Sequence, residues 1–128
     1  MPELRVLIVD DESLVRDTLR TVLGKFGHTA VGVSDGAKAL AELQAHPFDL
    51  IITDLLMPDF DGLELLTRLR RTHPAIPVIA ISGGGRISGN DYLRMAKKLG
   101  AVAVLSKPFT PDDVAAAIRS AFPPPPAG

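Results

Sequence analysis

Apolar and polar positions along this chain switch repeatedly between a strand period and a helix period. Residues 5–9 are apolar on both faces, which suits a strand inside a parallel sheet. From Leu14 the period lengthens. Val15, Leu19, Val22 and Phe26 recur at three- and four-residue steps and predict a helix that Gly24 or Gly27 closes. Residues 29–33 predict a second strand, and Ser34 or Asp35 can cap the helix after it, with Ala37, Leu40, Ala41 and Leu43 as its apolar stripe. A third strand runs through Leu50, Ile51 and Ile52 and stops at a carboxylate, Asp54. Met57-Pro58 follows, where proline disfavours helix for the residue before it. Gly62 opens a helix to about Arg71, with Leu63, Leu66 and Leu69 inward. Residues 77–81 predict a fourth strand, ending at Ser82, and Ser88 or Asn90 can cap a helix through Tyr92, Leu93, Met95, Ala96 and Leu99. Residues 101–105 predict the fifth strand, followed by Ser106-Lys107-Pro108. Thr110-Pro111-Asp112-Asp113 then combines a cap hydroxyl, a first-turn proline and acids at the positive end of a helix dipole. Val114, Ala117, Ile118 and Ala121 form the inner stripe of that last helix, which the prolines from 123 onward end.

Strand and helix thus alternate five times, which implies an α/β fold: a doubly wound, five-stranded parallel sheet with helices on both faces. Right-handed crossovers leave few topologies, and the periodicity does not choose the strand order. The 128 residues predict one domain over 1–122 and a proline-rich tail over 123–128. No apolar run approaches the roughly 18 residues needed to span a bilayer, and residues 6–9 are too short for a signal peptide. The absence of cysteine excludes disulfides and thiolate metal sites and fits a cytoplasmic protein. A net charge of -1 argues against a nucleic-acid or membrane surface built on bulk charge. Arg68, Arg70 and Arg71 read as a solvated helix end, where cations suit the dipole, ahead of a phosphate-binding patch.

In a parallel sheet the carboxyl ends of all strands share one edge. That edge would collect Asp10 and Asp11 from the first strand, Asp54 from the third, Ser82 from the fourth and Lys107 from the fifth. Three carboxylates at close range raise one another's pKa unless a cation sits among them. An all-oxygen donor set selects a hard ion, Mg²⁺ being the natural one. Lys107 suits a phosphate oxygen, and Ser82 followed by three glycines offers a hydroxyl and approachable backbone amides. These are parts for handling a phosphoryl group on a carboxylate nucleophile. There is no P-loop, no GxGxxG and no serine-histidine pair, and His28, His46 and His73 fall in loops or at helix ends, as solvated or locally bonded residues.

With these residues in place, the chain resembles the receiver domain of two-component response regulators from Val6 to about Phe122. The resemblance rests on Asp10-Asp11, on Gly36-Ala37-Lys38-Ala39-Leu40, on Asp54-Leu55-Leu56-Met57-Pro58 through Asp61-Gly62, on Ser82-Gly83 and on Lys107-Pro108-Phe109. It implies a CheY-like, flavodoxin-like sheet of order 2-1-3-4-5. It implies that Asp54 is the phosphoacceptor, that Asp11, Asp54 and the backbone carbonyl of Leu56 hold Mg²⁺ directly, and that Asp10 acts largely through water. Ser82 and Lys107 become the hydroxyl and the lysine that meet the phosphoryl oxygens, and the Lys107-Pro108 bond is implied to be cis. Three features depart from the family pattern. Val104 stands where an aromatic is usual, the loop after Ser82 is glycine-rich and longer, and no output domain is expected after the last helix.

The resemblance implies a signalling module and not a conventional enzyme. Its partners would be a histidine kinase or histidine phosphotransfer protein upstream and a target protein downstream, with no direct nucleic-acid or membrane contact, as a monomer or weak dimer. Because Val104 has no ring to swing, the moving part is expected in the segment from Gly83 to Asn90. A fragment of a larger regulator or hybrid kinase is an alternative. A Mg²⁺-dependent phosphohydrolase with an aspartyl-phosphate intermediate is disfavoured, since Glu12 stands where its second aspartate belongs. A flavodoxin is disfavoured because Asp10-Asp11-Glu12 would repel the cofactor phosphate.

Overall fold

A computed structural model of the chain describes residues 3–55, 62–83 and 89–123. Strands β1 (Arg5–Val9), β2 (Thr29–Val33), β3 (Leu50–Asp54), β4 (Val78–Ser82) and β5 (Ala103–Ser106) alternate with helices α1 (Ser13–Lys25), α2 (Gly36–Ala45), α3 (Gly62–Thr72), α4 (Gly89–Lys98) and α5 (Pro111–Ala121). All strand pairs are parallel, in the order β2-β1-β3-β4-β5. This is the expected doubly wound sheet, with the order that the resemblance implied.

Side chains alternate across a strand, so each buried strand feeds two cores. Val6, Ile8, Leu50, Ile52, Ile79, Ile81 and Leu105 face α1 and α5, meeting Leu19, Leu23, Val114 and Ile118. Leu7, Val9, Ile51, Val78 and Ala80 face the other way, onto Ala39 and Leu43 of α2, Leu65, Leu66 and Leu69 of α3 and Ala96 of α4. Strands β3 and β4 are buried throughout, which is why they read as unbroken apolar runs.

Several boundaries differ from the periodicity. β5 begins at Ala103 and not at Ala101; ahead of it the Val102 amide donates to the Val78 carbonyl at 2.9 Å. Ala101 is still closing α4, its amide on Ala96 after Gly100 turns at φ 107°. Pro77 lies just outside β4 but accepts from the Ile51 amide. Phe26 is 40% exposed, because α1 ends at Lys25 and Gly27 (φ 85°) turns the chain away. Ala37 and Ala41 face solvent while Gly36, Ala39 and Leu43 are buried. Leu43 sets the phase of that helix, and alanine is too small to compete. Asp35, one of two candidate caps, accepts from the Lys38 amide at 2.8 Å. Asn90 lies inside α4 and does not cap it; Ser88 is outside the described residues. The cap read at Thr110 is a full capping box with Asp113, bonded both ways at 2.8 and 3.1 Å.

At the sheet edge opposite the acids, His28 is buried and its Nδ1 accepts from the Leu4 amide at 3.0 Å. The histidine thus supplies a structural acceptor. Replacing it, as His28→Phe, keeps a ring but leaves a buried amide without a partner. We expect a loss of about 1–3 kcal/mol, read as a lowered urea midpoint with an unchanged slope. An unchanged midpoint would show that the Leu4 amide finds another acceptor.

Candidate functional site

Strand register explains why distant acids meet. Val9 pairs with Thr53, so Asp10 and Asp54 stand at the next position on neighbouring strands. Asp54 pairs with Ile81, and Ser82 pairs with Ser106, one residue before Lys107. Strands β1, β3, β4 and β5 end close together in this register, so the polar residues Asp10, Asp54, Ser82 and Lys107 are delivered to one edge.

Lys107 ties this edge together. Its ammonium Nζ lies 3.4 Å from Asp10 Oδ2, 3.4 Å from Glu12 Oε1 and 3.9 Å from Asp54 Oδ2. The lysine amide donates to the Ser82 carbonyl at 2.8 Å, so Ser82 and Lys107 share one backbone rung. Ser82 and Asp54 are both buried. Gly83 lies beside the lysine, where an added Cβ would touch Nζ at 3.8 Å. The Lys107-Pro108 peptide is cis, as the resemblance implied.

Asp10 is wholly buried, with Oδ1 accepting from the Glu12 amide at 2.9 Å. Its Oδ2 has no hydrogen bond and only the longer ion pair to Lys107. Burial pushes the Asp10 carboxyl above its ordinary pKa, against the Glu12 amide and the Lys107 charge, which both favour the anion. Burial alone would favour a neutral Lys107, but Asp10, Asp54 and Glu12 outweigh it and hold its pKa above the ordinary value. A carboxylate that is costly to ionise therefore sits beside an amine that stays charged.

Oxygen atoms of Asp10, Asp11 and Glu12 lie within 4.8 Å of one another, the one such acidic group among the described residues. Asp11 and Glu12 are exposed and Asp10 is buried. Asp54, expected in the same cluster, is joined to it through Lys107 instead. The set fits a hard divalent ion: carboxylates only, with a buried Oδ2 short of a hydrogen bond. The Leu56 carbonyl lies outside the described residues, as do positions 84–88 of the segment expected to move. Val104 is half-buried on the α2–α3–α4 side.

Two residues take a part here that the motifs alone do not assign. Glu12 pairs with Lys107, which its place as third acid in the run could have suggested. Arg16 donates from Nη1 to the Asp10 carbonyl at 2.7 Å. Of the three arginines ending α3, Arg68 pairs with Glu64 at 3.7 Å and Arg70 bonds the Pro74 carbonyl, as befits a helix end.

Comparison with known proteins identifies the family and the fold. The family model described as the response regulator receiver domain matches residues 6–119. The transcriptional regulatory protein TcrA of Mycobacterium tuberculosis is 34% identical over 121 residues, covering 91% of this chain and 45% of that protein. The DNA-binding transcriptional regulator NtrC of Escherichia coli is 34% identical over 117 residues, 91% of this chain and 24% of that one. The chain thus spans less than half the length of these two relatives. Among solved structures, chemotaxis response regulator CheY4 of Vibrio cholerae superposes with a TM-score of 0.83 at 27% identity, covering 94% of this chain and 100% of that one. NtrX of Brucella abortus gives 0.84 at 31% identity, over 93% of this chain and 27% of that one.

A prediction follows from the burial of Asp10. With its folded pKa raised above 3.8, ionised Asp10 costs the folded protein stability. That cost is absent below pH 3.8 and grows as pH rises through the raised folded pKa. In EDTA, Asp10→Asn should therefore be more stable than wild type at pH 7, and its advantage should shrink as pH is lowered toward 4. Urea titrations across that range measure the gap; a gap that stays constant with pH would refute the cause given.

Proposed function

The chain belongs to the response regulator receiver family, and from that premise we propose that Asp54 is its phosphoacceptor, charged by a phosphohistidine donor and read by a protein target. The observation that carries the reading is the Lys107 ammonium held among Asp10, Glu12 and Asp54 at the carboxyl edge of the sheet. Receiver domains generally bind Mg²⁺ in an acidic pocket, and the acids here suit it. Asp10, Asp11, Asp54 and the Leu56 carbonyl would hold the ion, Asp10 largely through water. When bound, it supplies positive charge against the phosphoryl oxygens.

An Asp54 oxygen attacks phosphorus, the bond from phosphorus to the donor histidine nitrogen breaks, and the electron pair leaves with the imidazole. Asp54 becomes an acyl phosphate. Lys107 then exchanges a carboxylate partner for phosphoryl oxygens carrying about -1.5 to -2 charges. The Ser82 hydroxyl, one rung away, donates to the same oxygens. The module assists its own phosphorylation and dephosphorylation and is not an enzyme in the ordinary sense. Its upstream partner is a histidine kinase or histidine phosphotransfer protein, and its output is contact with a target protein, in the cytoplasm. We assign residues 1–122 to the receiver and 123–128 to a proline-rich tail, the receiver being monomeric or weakly dimeric.

Incubation with acetyl phosphate and Mg²⁺ should add one phosphoryl group by intact mass, and Asp54→Asn should abolish it. The same mass shift in Asp54→Asn would place the phosphate elsewhere and end the assignment. EDTA should suppress the wild-type reaction.

A further inference from the structure

Gly32 sits within β2, where glycine weakens a strand unless something approaches closely. What approaches is Arg16. A Cβ built at residue 32 would stand 3.3 Å from both Cβ and Cδ of Arg16 and 3.6 Å from its Cγ. The arginine stem therefore lies along bare β2 backbone, in space that a side chain would take.

From there the guanidinium reaches the turn after β1 and donates to the Asp10 carbonyl at 2.7 Å. The Arg16 amide donates to the Glu12 carbonyl at 3.2 Å. The Arg16 side chain thus ties the Asp10 end of the run, while the first backbone bond of α1 ties the Glu12 end. The Asp10 amide is fixed from the other side by the Val33 carbonyl at 3.1 Å, and the Glu12 amide by Asp10 Oδ1 at 2.9 Å. A short hydrogen bond from a charged, planar donor restrains direction as well as distance.

We propose that Arg16, seated in the gap left by Gly32, is a positioning residue that sets the aim of the Asp10 and Asp11 carboxylates toward a divalent cation. This rests on the reading above that these acids hold Mg²⁺. A purely electrostatic role predicts the opposite sign. Arg16 is itself a cation near the pocket, so deleting its charge alone would strengthen Mg²⁺ binding. Losing its restraint weakens binding, and losing a group that orients metal ligands commonly costs 10- to 100-fold.

The test is a Mg²⁺ titration of the full chain by amide NMR shifts, with hydrogen exchange of the metal-free protein beside it. Arg16→Met keeps the stem but removes the bond. It should bind Mg²⁺ about tenfold more weakly and exchange the Asp10 and Glu12 amides faster without metal. Gly32→Val favours a strand yet crowds the arginine stem. It should weaken Mg²⁺ binding in the wild-type background and add little to Arg16→Met, since both act through one contact. Equal or tighter binding by a folded Arg16→Met overturns the role of Arg16 while leaving the magnesium reading intact. Independent, additive effects of the two substitutions overturn the seat at Gly32. A wild-type chain with no saturable Mg²⁺ response overturns the magnesium reading itself and the proposal with it.

Discussion

One ammonium group holds the acidic edge of this fold together. Parallel strands that end close together deliver Asp10 and Asp54 to adjacent positions, with Asp11 and Glu12 close behind. Crowded carboxylates in partly buried surroundings oppose each other's ionisation. Lys107 lies within 4 Å of three of them and is itself mostly shielded from solvent, so its charge is weakly screened. The balance is incomplete, since Asp10 keeps a raised pKa and an oxygen without a hydrogen bond. The edge therefore stands ready for further positive charge. Replacing polar strand ends with apolar residues would remove that strain and also everything the edge can do.

The fold was legible because its signals are redundant. Unbroken apolar runs at β3 and β4 admit few readings, and Thr110 with Asp113 marks a helix start without ambiguity. Errors fell where side chains carry little weight. The alanines of α2 do not set the phase of their own helix, and Ala101 reads as strand by its pattern although its amide completes α4. At the site, Asp10, Asp54, Ser82 and Lys107 were foreseeable because a parallel sheet lines up its strand ends. The way they connect was not. That Lys107 would lie nearer Asp10 and Glu12 than Asp54 depends on side-chain reach, which spacing does not encode.

Arg16 and Gly32 show a second limit. Each is unremarkable in the sequence: an arginine on a helix and a glycine in an edge strand. Their meaning is joint, since the missing Cβ of one makes room for the stem of the other. A glycine inside a strand is the cue that backbone is being approached. Only the packing of α1 over β2 names what approaches.

The place of Val104 bears on how a change at the acidic edge could travel. Val104 pairs with Ala80 inside the sheet and packs toward the α2–α3–α4 core, and a β-branched side chain in a strand has little rotamer freedom. It offers neither a ring to turn nor a hydroxyl to bond. The rung one step nearer the edge is different. The Ser82 carbonyl accepts the Lys107 amide, so a pull on either residue moves the backbone of both. If phosphoryl oxygens at Asp54 recruit the lysine and the serine together, the force falls on one hydrogen-bonded junction of β4 and β5. Reversing a population from 1:99 to 99:1 requires about 5.5 kcal/mol of differential stabilisation. Hydrogen bonds to charged groups contribute about 1.5–3 kcal/mol each, so two or three new contacts on that junction suffice without help from residue 104. The ion pairs that Lys107 gives up to Asp10 and Glu12 subtract from this total, which ties the depth of the switch to how the acids at the edge are neutralised once the lysine has moved.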